Sequence, residues 1–259
     1  MDSVREIEIL IRAKYPILYV TTWEERRLET ALHGVCSELK RKLHTWSVTQ
    51  GMRPPVNRTS GPPNPTTLPG ELEALALVHE APEGSVFALR DFHPYMKDYR
   101  VVRLLRDLAH RLRGRATTLI LVGPILSLPV ELEKDVTVVE FGLPNAQQIS
   151  DCLDSVVAAV KDDPKVQSKL TKADRELIVK SAQGLTLDEI ENVFARSFVE
   201  KRKFDVEVVL EEKKQIVRKS GLLEYYPAEH TLKDVGGMEY LKQWLEVRRK
   251  SFTEKAKAF

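Results

Sequence analysis

An α/β domain with a parallel sheet between two layers of helices, followed by a small all-helical unit, is the architecture this sequence predicts. Two observations lead there. Over residues 1–144, short apolar runs of strand length alternate with longer stretches of helical spacing. After Pro144 only the helical period continues, to about residue 219. Strands that alternate with helices pair in parallel through right-handed crossovers, and both sheet faces are then covered.

The elements follow in order. Residues 3–13 place Val4, Ile7, Ile9, Leu10 and Ile11 among charges, which predicts a short amphipathic helix that Pro16 stops. Ile17, Leu18, Tyr19 and Val20 form a compact apolar run, read as a buried first strand. Thr21 and Thr22 offer a cap for the next helix. Glu24 and Glu25 suit its first turn, beside the positive end of the helix dipole. That helix continues through Leu28, Ala31, Leu32, Val35 and Leu39. Residues 44–48 predict a second strand. Residues 51–66 are crowded with prolines and predict an exposed loop with neither helix nor strand. Helical spacing returns over 68–79, a third strand over 85–89, and an arginine-rich helix over 99–113. Residues 117–122 and 136–141 complete a five-stranded sheet. In the helical unit the apolar set is Ile149, Leu153, Val156, Val157 and Val160, then Leu177 and Ile178, then Leu187, Ile190, Val193, Phe194 and Phe198.

Composition sets bounds. A net charge of +2 on 259 residues argues neither for nucleic acid nor for a membrane surface. No apolar run approaches the roughly 20 residues of a membrane span, and the charged start MDSVREIEIL does not read as a signal peptide. Cys36 and Cys152 are far apart and in no CxxC pattern, so they read as small apolar helix residues of a protein in the reducing cytoplasm. The six histidines show no metal-ligand spacing, and no serine stands in a GxSxG context.

In an open parallel sheet, ligands bind at the carboxyl ends of the strands. A phosphate loop after the first strand needs glycines, whose backbone N–H groups close on the anion, and a lysine to neutralise it. The sequence there is TTWEERRLE, and none of the twelve glycines is followed by lysine. Glu24 and Glu25 would repel a phosphate. The third strand ends at Asp91, the position of a magnesium-coordinating acid; the alternative is a residue that fixes the loop. Phe92 stands where a second acid would polarise water, and it predicts packing instead. Arg100, Arg103, Arg106 and Arg113, with His110, recur at helical spacing. They either meet a polyanion or a neighbouring subunit, or form a solvated face broken by Asp98 and Asp107.

The order of these features resembles the AAA+ core, a P-loop-NTPase-like fold. The segment TLILVGPILSLPVELEKDVTVVEFGLP looks like that family's fourth and fifth strands. The turn Gly184-Leu185-Thr186, opening a helix at Leu187, resembles its helical lid. Thr231-Leu232-Lys233-Asp234-Val235-Gly236-Gly237-Met238 closely resembles the start of a second AAA domain. The whole is similar to the tandem AAA ATPases of cyanobacteria and algal plastids, whose first domain is degenerate. The resemblance implies three parts: a degenerate α/β domain over 1–144, a lid over 145–222, and over 223–259 a linker with the start of a second domain. It implies that Asp234, Val235 and Gly236 line an adenine pocket completed by a downstream domain. ATP and magnesium would be cofactors of the full protein, and other AAA+ subunits, in a homo-oligomeric ring, its partners.

Departures from the family pattern outnumber matches. The phosphate loop is absent, Phe92 replaces the catalytic acid, and Gly123-Pro124 replaces a polar sensor. Residues 130–136, VELEKDV, hold no arginine for a neighbour's nucleotide, and the lid turn has no sensor arginine. The expectation is therefore a non-catalytic structural or partner-binding module with no catalytic residue and no metal site of its own, Asp91 being a remnant. The alternatives are a free-standing adaptor of clamp-loader type, or a nucleic-acid-binding module resting on the arginine stripe. The apolar set Leu241, Trp244, Leu245, Val247 and Phe252 predicts a helix that needs something to cover it.

Overall fold

The computed structural model describes residues 3–54, 70–160, 170–219, 234 and 236–249. A six-stranded sheet carries the first part of the chain. Its strands are β1 (Ile17–Thr21), β2 (Lys42–Ser47), β3 (Gly51–Arg53), β4 (Ser85–Arg90), β5 (Thr118–Gly123) and β6 (Val136–Glu140). The spatial order is β3-β2-β4-β5-β1-β6. The five predicted strands pair in parallel, with Leu18 opposite Ile120 on one side and Thr137 on the other. β1 is thus central although it comes first, as crossover connections require.

The sixth strand corrects the sequence reading. Residues 51–53, which the sequence places in the proline-rich loop, form an antiparallel edge strand, with Met52 opposite Trp46. Gly51 takes a φ of 64° at the hairpin, where a residue without a Cβ is favoured. Pro54 follows at once, and an edge strand tolerates proline where a central strand does not. The rest of that predicted loop, 55–66, lies outside the described residues.

Helices cover both faces. α1 (Ser3–Arg12) and α2 (Glu25–Glu38) bury Ile7, Ile11, Leu28, Leu32 and Val35 against Leu18, Val20, Val86, Ala88 and Ile120. On the other face, α3 (Gly70–Glu80) and α4 (Tyr99–Leu112) bury Leu75, Val78, Leu105 and Leu108 against Tyr19, Phe87, Leu89 and Leu121. Alternate residues of β1, β4 and β5 feed opposite cores, as the period of a strand dictates. The near-continuous apolar runs are what a parallel sheet buried on both sides needs.

The lid comprises α5 (Ala146–Val160), α6 (Lys172–Ala182) and α7 (Leu187–Lys201). Ile149, Leu153, Ile178, Ile190, Val193 and Phe194 form its buried interior. Phe204 packs edge-on against Phe194 and Phe198. Arg175 ties α6 to α5 through Asp154 at 2.5 Å and the Ser150 hydroxyl at 2.7 Å. Two further helices are α8 (Val206–Lys219) and α9 (Glu239–Arg249). The chain divides into two compact units, residues 1–209 and 210–259.

Candidate functional site

The ligand position of an open α/β sheet lies at the carboxyl ends of β1, β4 and β5. β1 leads into Thr22, whose N–H donates to the Gly123 carbonyl at 2.9 Å. The Thr22 hydroxyl accepts the N–H of Glu24 at 2.9 Å, which orders the turn; the threonine pair does not cap α2 as expected, because the chain runs on to Glu24 before the helix begins. Glu24 itself is the N-cap of α2, and its side chain caps none of that helix's own N–H groups. The carboxylate reaches across to the lid instead. Glu24 Oε1 accepts the backbone N–H of Leu187 at 2.5 Å. The first N–H groups of a helix have no intrahelical partner and sit at the positive end of the dipole. An anionic side chain fills that position here.

The rest of α7's first turn is satisfied locally. Thr186 and Glu189 form a reciprocal capping box, with bonds of 3.3 Å to the Glu189 N–H and 2.8 Å from the Thr186 N–H. The preceding Gly184 adopts a φ of 92°. The turn therefore opens a helix as its sequence pattern implied.

Arg27 balances Glu24. Its guanidinium donates to Glu24 Oε2, to the Gly142 carbonyl and, at 3.2 Å, to Gln148 Oε1. It also stacks 4.3 Å from the Phe141 ring centroid. One buried ion pair thus joins the β1–α2 turn, the segment after β6, and the lid. Beside it lies a cleft of about 270 Å³ bounded by Trp23, Thr30, Gln148 and Thr186. Arg26 reaches Asp188 at 3.2 Å on its exposed rim, and Trp23 is 74% exposed.

A second charge network closes the other side of the turn. Arg90, at the end of β4, lies 3.1 Å from Glu25 and 3.4 Å from Glu29 on α2, and donates to Gln50 at 3.2 Å. The Glu25 contact is an ion pair without hydrogen-bond alignment. Burial raises the Glu25 carboxyl above its usual range; Arg90 opposes this, while Asp91 and Glu29 reinforce it.

The sequence-predicted residues fall as follows. Asp91 is exposed, with a left-handed φ of 50°, at the turn after β4. Phe92 is fully buried and packs against Trp46 and Tyr95. Gly123 ends β5 where a Cβ would stand 3.1 Å from His93 Nδ1 and 3.3 Å from the Tyr19 hydroxyl. The Tyr19 hydroxyl donates to the Ile125 carbonyl at 2.6 Å, and burial raises its pKa. Asp234 and Gly236 are exposed, and Val235 lies outside the described residues.

Among the described residues no group of histidine, cysteine, aspartate or glutamate side chains could hold a metal ion. Arg100 pairs with Asp98 at 2.6 Å, Arg103 with Asp107, and Arg106 and Arg113 with Asp135 at 4.0 and 3.5 Å. The four arginines of the expected stripe therefore face three carboxylates, Asp135 being shared by two of them. Cys36 and Cys152 are free thiols, and burial pushes both pKa values up to about 11. No helix among the described residues is long and apolar enough to cross a membrane. The Glu24–Leu187 contact was missed by sequence reasoning. The only local signal was an acidic pair where a phosphate loop stands in related folds.

This sheet order, with a lid helix opening beside the first strand's end, defines a P-loop-NTPase-like AAA+ fold. Thermotoga maritima RuvB, a Holliday junction branch migration motor, shares it at a TM-score of 0.50 and 15% identity, covering 95% of this chain and 76% of that one. A substituted form of the same motor scores 0.51, also at 15% identity, over 95% of this chain and 75% of that one. The family described as "SpoVK-like AAA ATPase, N-terminal domain" matches residues 3–141, and "SpoVK-like AAA ATPase, second domain" matches 147–220. The chain belongs to the SpoVK-like AAA ATPases. It is 29% identical to the "Uncharacterized AAA domain-containing protein ycf46" of Guillardia theta, covering all of this chain and 50% of that protein. The protein of the same name in Trieres chinensis is 30% identical, over 97% of this chain and 50% of that one. The chain spans about half the length of these relatives.

Proposed function

We propose that these residues form a catalytically degenerate N-terminal module of an AAA ATPase, which works by holding shape and binding partners. ATP and magnesium would be bound and hydrolysed by a further AAA domain, for which the longer relatives have room. The Asp234–Gly236 segment would then line that domain's adenine pocket. The observation that carries this reading is Glu24. Its carboxylate occupies the helix N-terminus that faces the end of β1, where a phosphate group would be drawn. Phosphoryl transfer needs phosphates cradled, metal held and water oriented. The turn after β1 offers no lysine and two glutamates. The neighbouring cations, Arg27 and Arg90, are neutralised by Glu24, Glu25 and Glu29. Phe92 is buried and holds no proton. The residues present do not fit a magnesium–triphosphate, so no reaction step is routed through one.

The parent protein would work with other AAA+ subunits, in a reducing compartment such as the cytoplasm. A nucleic-acid role draws no support from α4, whose arginines face aspartates. Calorimetric titration of the chain with ATP and magnesium, beside a phosphate-release assay, tests the reading. No saturable heat and no release are expected. Binding in the micromolar range, or sustained turnover, overturns it.

A further inference from the structure

The two edges of the sheet are built differently. On one side β3 closes it with three residues followed by a proline. On the other side β6 is outermost, and no strand pairs with its outer rail among the described residues. Its sequence is VTVVE, with no proline or glycine and a single charge at the last position. Its register with β1 is unbroken, so it has no bulge. Edge strands are ordinarily shortened, bulged, charged or interrupted by proline to stop another strand from adding. The first four residues of β6 carry none of these devices.

Pairing with β1 fixes where its backbone points. Glu140 is opposite Thr21, and the next residue, Phe141, donates its N–H to the Thr21 carbonyl at 3.0 Å. Successive residues of a strand turn their backbone groups to opposite sides. Thr137, Val139 and Phe141 therefore face β1, and the N–H and C=O groups of Val136, Val138 and Glu140 face away from the sheet. Side chains alternate as well. Val139 and Phe141 enter one core and Val136 the other, while Val138 is 42% exposed and Glu140 is exposed. Lys134, in the turn that leads into β6, is also exposed. Neither Lys134 nor Glu140 has an ion-pair partner among the described residues.

We infer that β6 pairs antiparallel with β6 of a second copy, about a two-fold axis at Val138, so that the two sheets become continuous. This register sets Val136 opposite Glu140 and engages all three outward-facing residues of each strand. Sliding by two residues leaves either Val136 or Glu140 opposite no strand residue. Charge selects the same arrangement. Glu140 of each strand lies at the end where the other chain enters through Lys134, so two opposite-charge pairs flank a central contact between valines. A parallel pairing would set Glu140 against Glu140. The strand thus complements itself, which names a second copy as the occupant. The contact is isologous, the same surface on both copies, and it closes at two. It rests on residues 134–141 of the sheet domain and does not depend on how the cleft at Glu24 treats nucleotide.

Sedimentation velocity of the 259-residue chain tests this, with amide hydrogen exchange read at low and high concentration. The wild type should pass from one copy to two as concentration rises, and stop there. Exchange at the Val136, Val138 and Glu140 amides should slow at least about tenfold in the dimer. The Val139 amide, already bonded to β1, should change little. Val138→Pro removes the central outward N–H and leaves the bonds to β1 in place, a substitution that an edge strand accepts. It should abolish the dimer and keep the thermal midpoint. Glu140→Lys and Lys134→Glu should each weaken the dimer about tenfold, since like charges then meet, and the chain carrying both should recover it. Should Val138→Pro unfold the chain, the charge exchange decides. A single copy at every concentration overturns the inference, as does growth past two. So does association that leaves the Val138 amide exchanging freely, that survives Val138→Pro, or that is not restored in the double variant.

Discussion

Glu24 and Leu187, 163 residues apart, are joined by a 2.5 Å hydrogen bond from the lid helix's first N–H to a buried carboxylate. The bond fixes the lid to the β1–α2 turn without any ligand. Glu24→Gln removes the charge and leaves the Arg27 guanidinium buried without its counter-ion. Both side chains are well shielded, at 2% and 13% exposure, so the loss should be about 3–5 kcal/mol. Urea denaturation measures it, and hydrogen exchange at Leu187 should accelerate. An unchanged midpoint would show that Glu24 does not hold the lid.

Phe92, just after β4, packs between Trp46 and Tyr95. Truncation to alanine empties a site between Trp46 and Tyr95 and should cost about 3–5 kcal/mol. Thermal and chemical denaturation check this. A cost under about 1 kcal/mol would mean that the aromatic cluster closes over the gap.

His44 is buried and stacked on Phe87 at 4.9 Å, and its Nδ1 lies 2.7 Å from the Pro54 carbonyl. Burial lowers its pKa, against a smaller opposing push from the Pro54 bond. A lowered folded-state pKa means that the unfolded chain binds the proton more readily. The stability it contributes is complete above the unfolded value, about 6.5, and is lost as pH falls through the folded one. Melting temperatures recorded below about pH 6.5 should fall less steeply in His44→Gln than in the wild type. Parallel slopes would remove His44 from the account.

The two thiols, each with a pKa of about 11, should be almost wholly protonated at about pH 8. The thiolate is the nucleophile, so alkylation should be about 100-fold slower in the native chain than in denaturant. Rapid labelling of Cys152 in the native state would contradict the burial.

The arginines of α4 spend their charge on neighbouring aspartates. The Arg103–Asp107 pair is exposed on both sides, so Arg103→Ala should change stability by no more than about 1 kcal/mol. The chain should pass through a DNA column at physiological salt. Retention that weakens steeply with added salt would reinstate a polyanion role.

The sheet and both helical layers were legible because burial on two faces writes continuous apolar runs, and surface helices write a period of about 3.6 residues. The run over Ile17–Val20 and the stripe over Leu28, Leu32 and Val35 needed nothing beyond local pattern. β3 was hidden because three residues before a proline carry no periodicity. The absence of a phosphate loop could be read directly from TTWEERRLE. What fills its place could not, because Glu24, Arg27, Gly142 and Leu187 converge only through tertiary structure. The arginine stripe misled in the opposite sense: spacing placed the cations on one helix, but Asp135, which two of them meet, comes from another segment.

The three-residue strand Gly51–Arg53 has a consequence for solubility. Among the described residues it is the outermost rail on its side of the sheet. Without it, the six-residue β2, with Trp46 in its interior, would present its whole backbone as a template for strand addition by another chain. A short antiparallel cover ending at a proline offers few donors and acceptors to an incoming strand. Trimming it should turn a well-behaved domain into one that aggregates through that edge while its helices and lid remain folded.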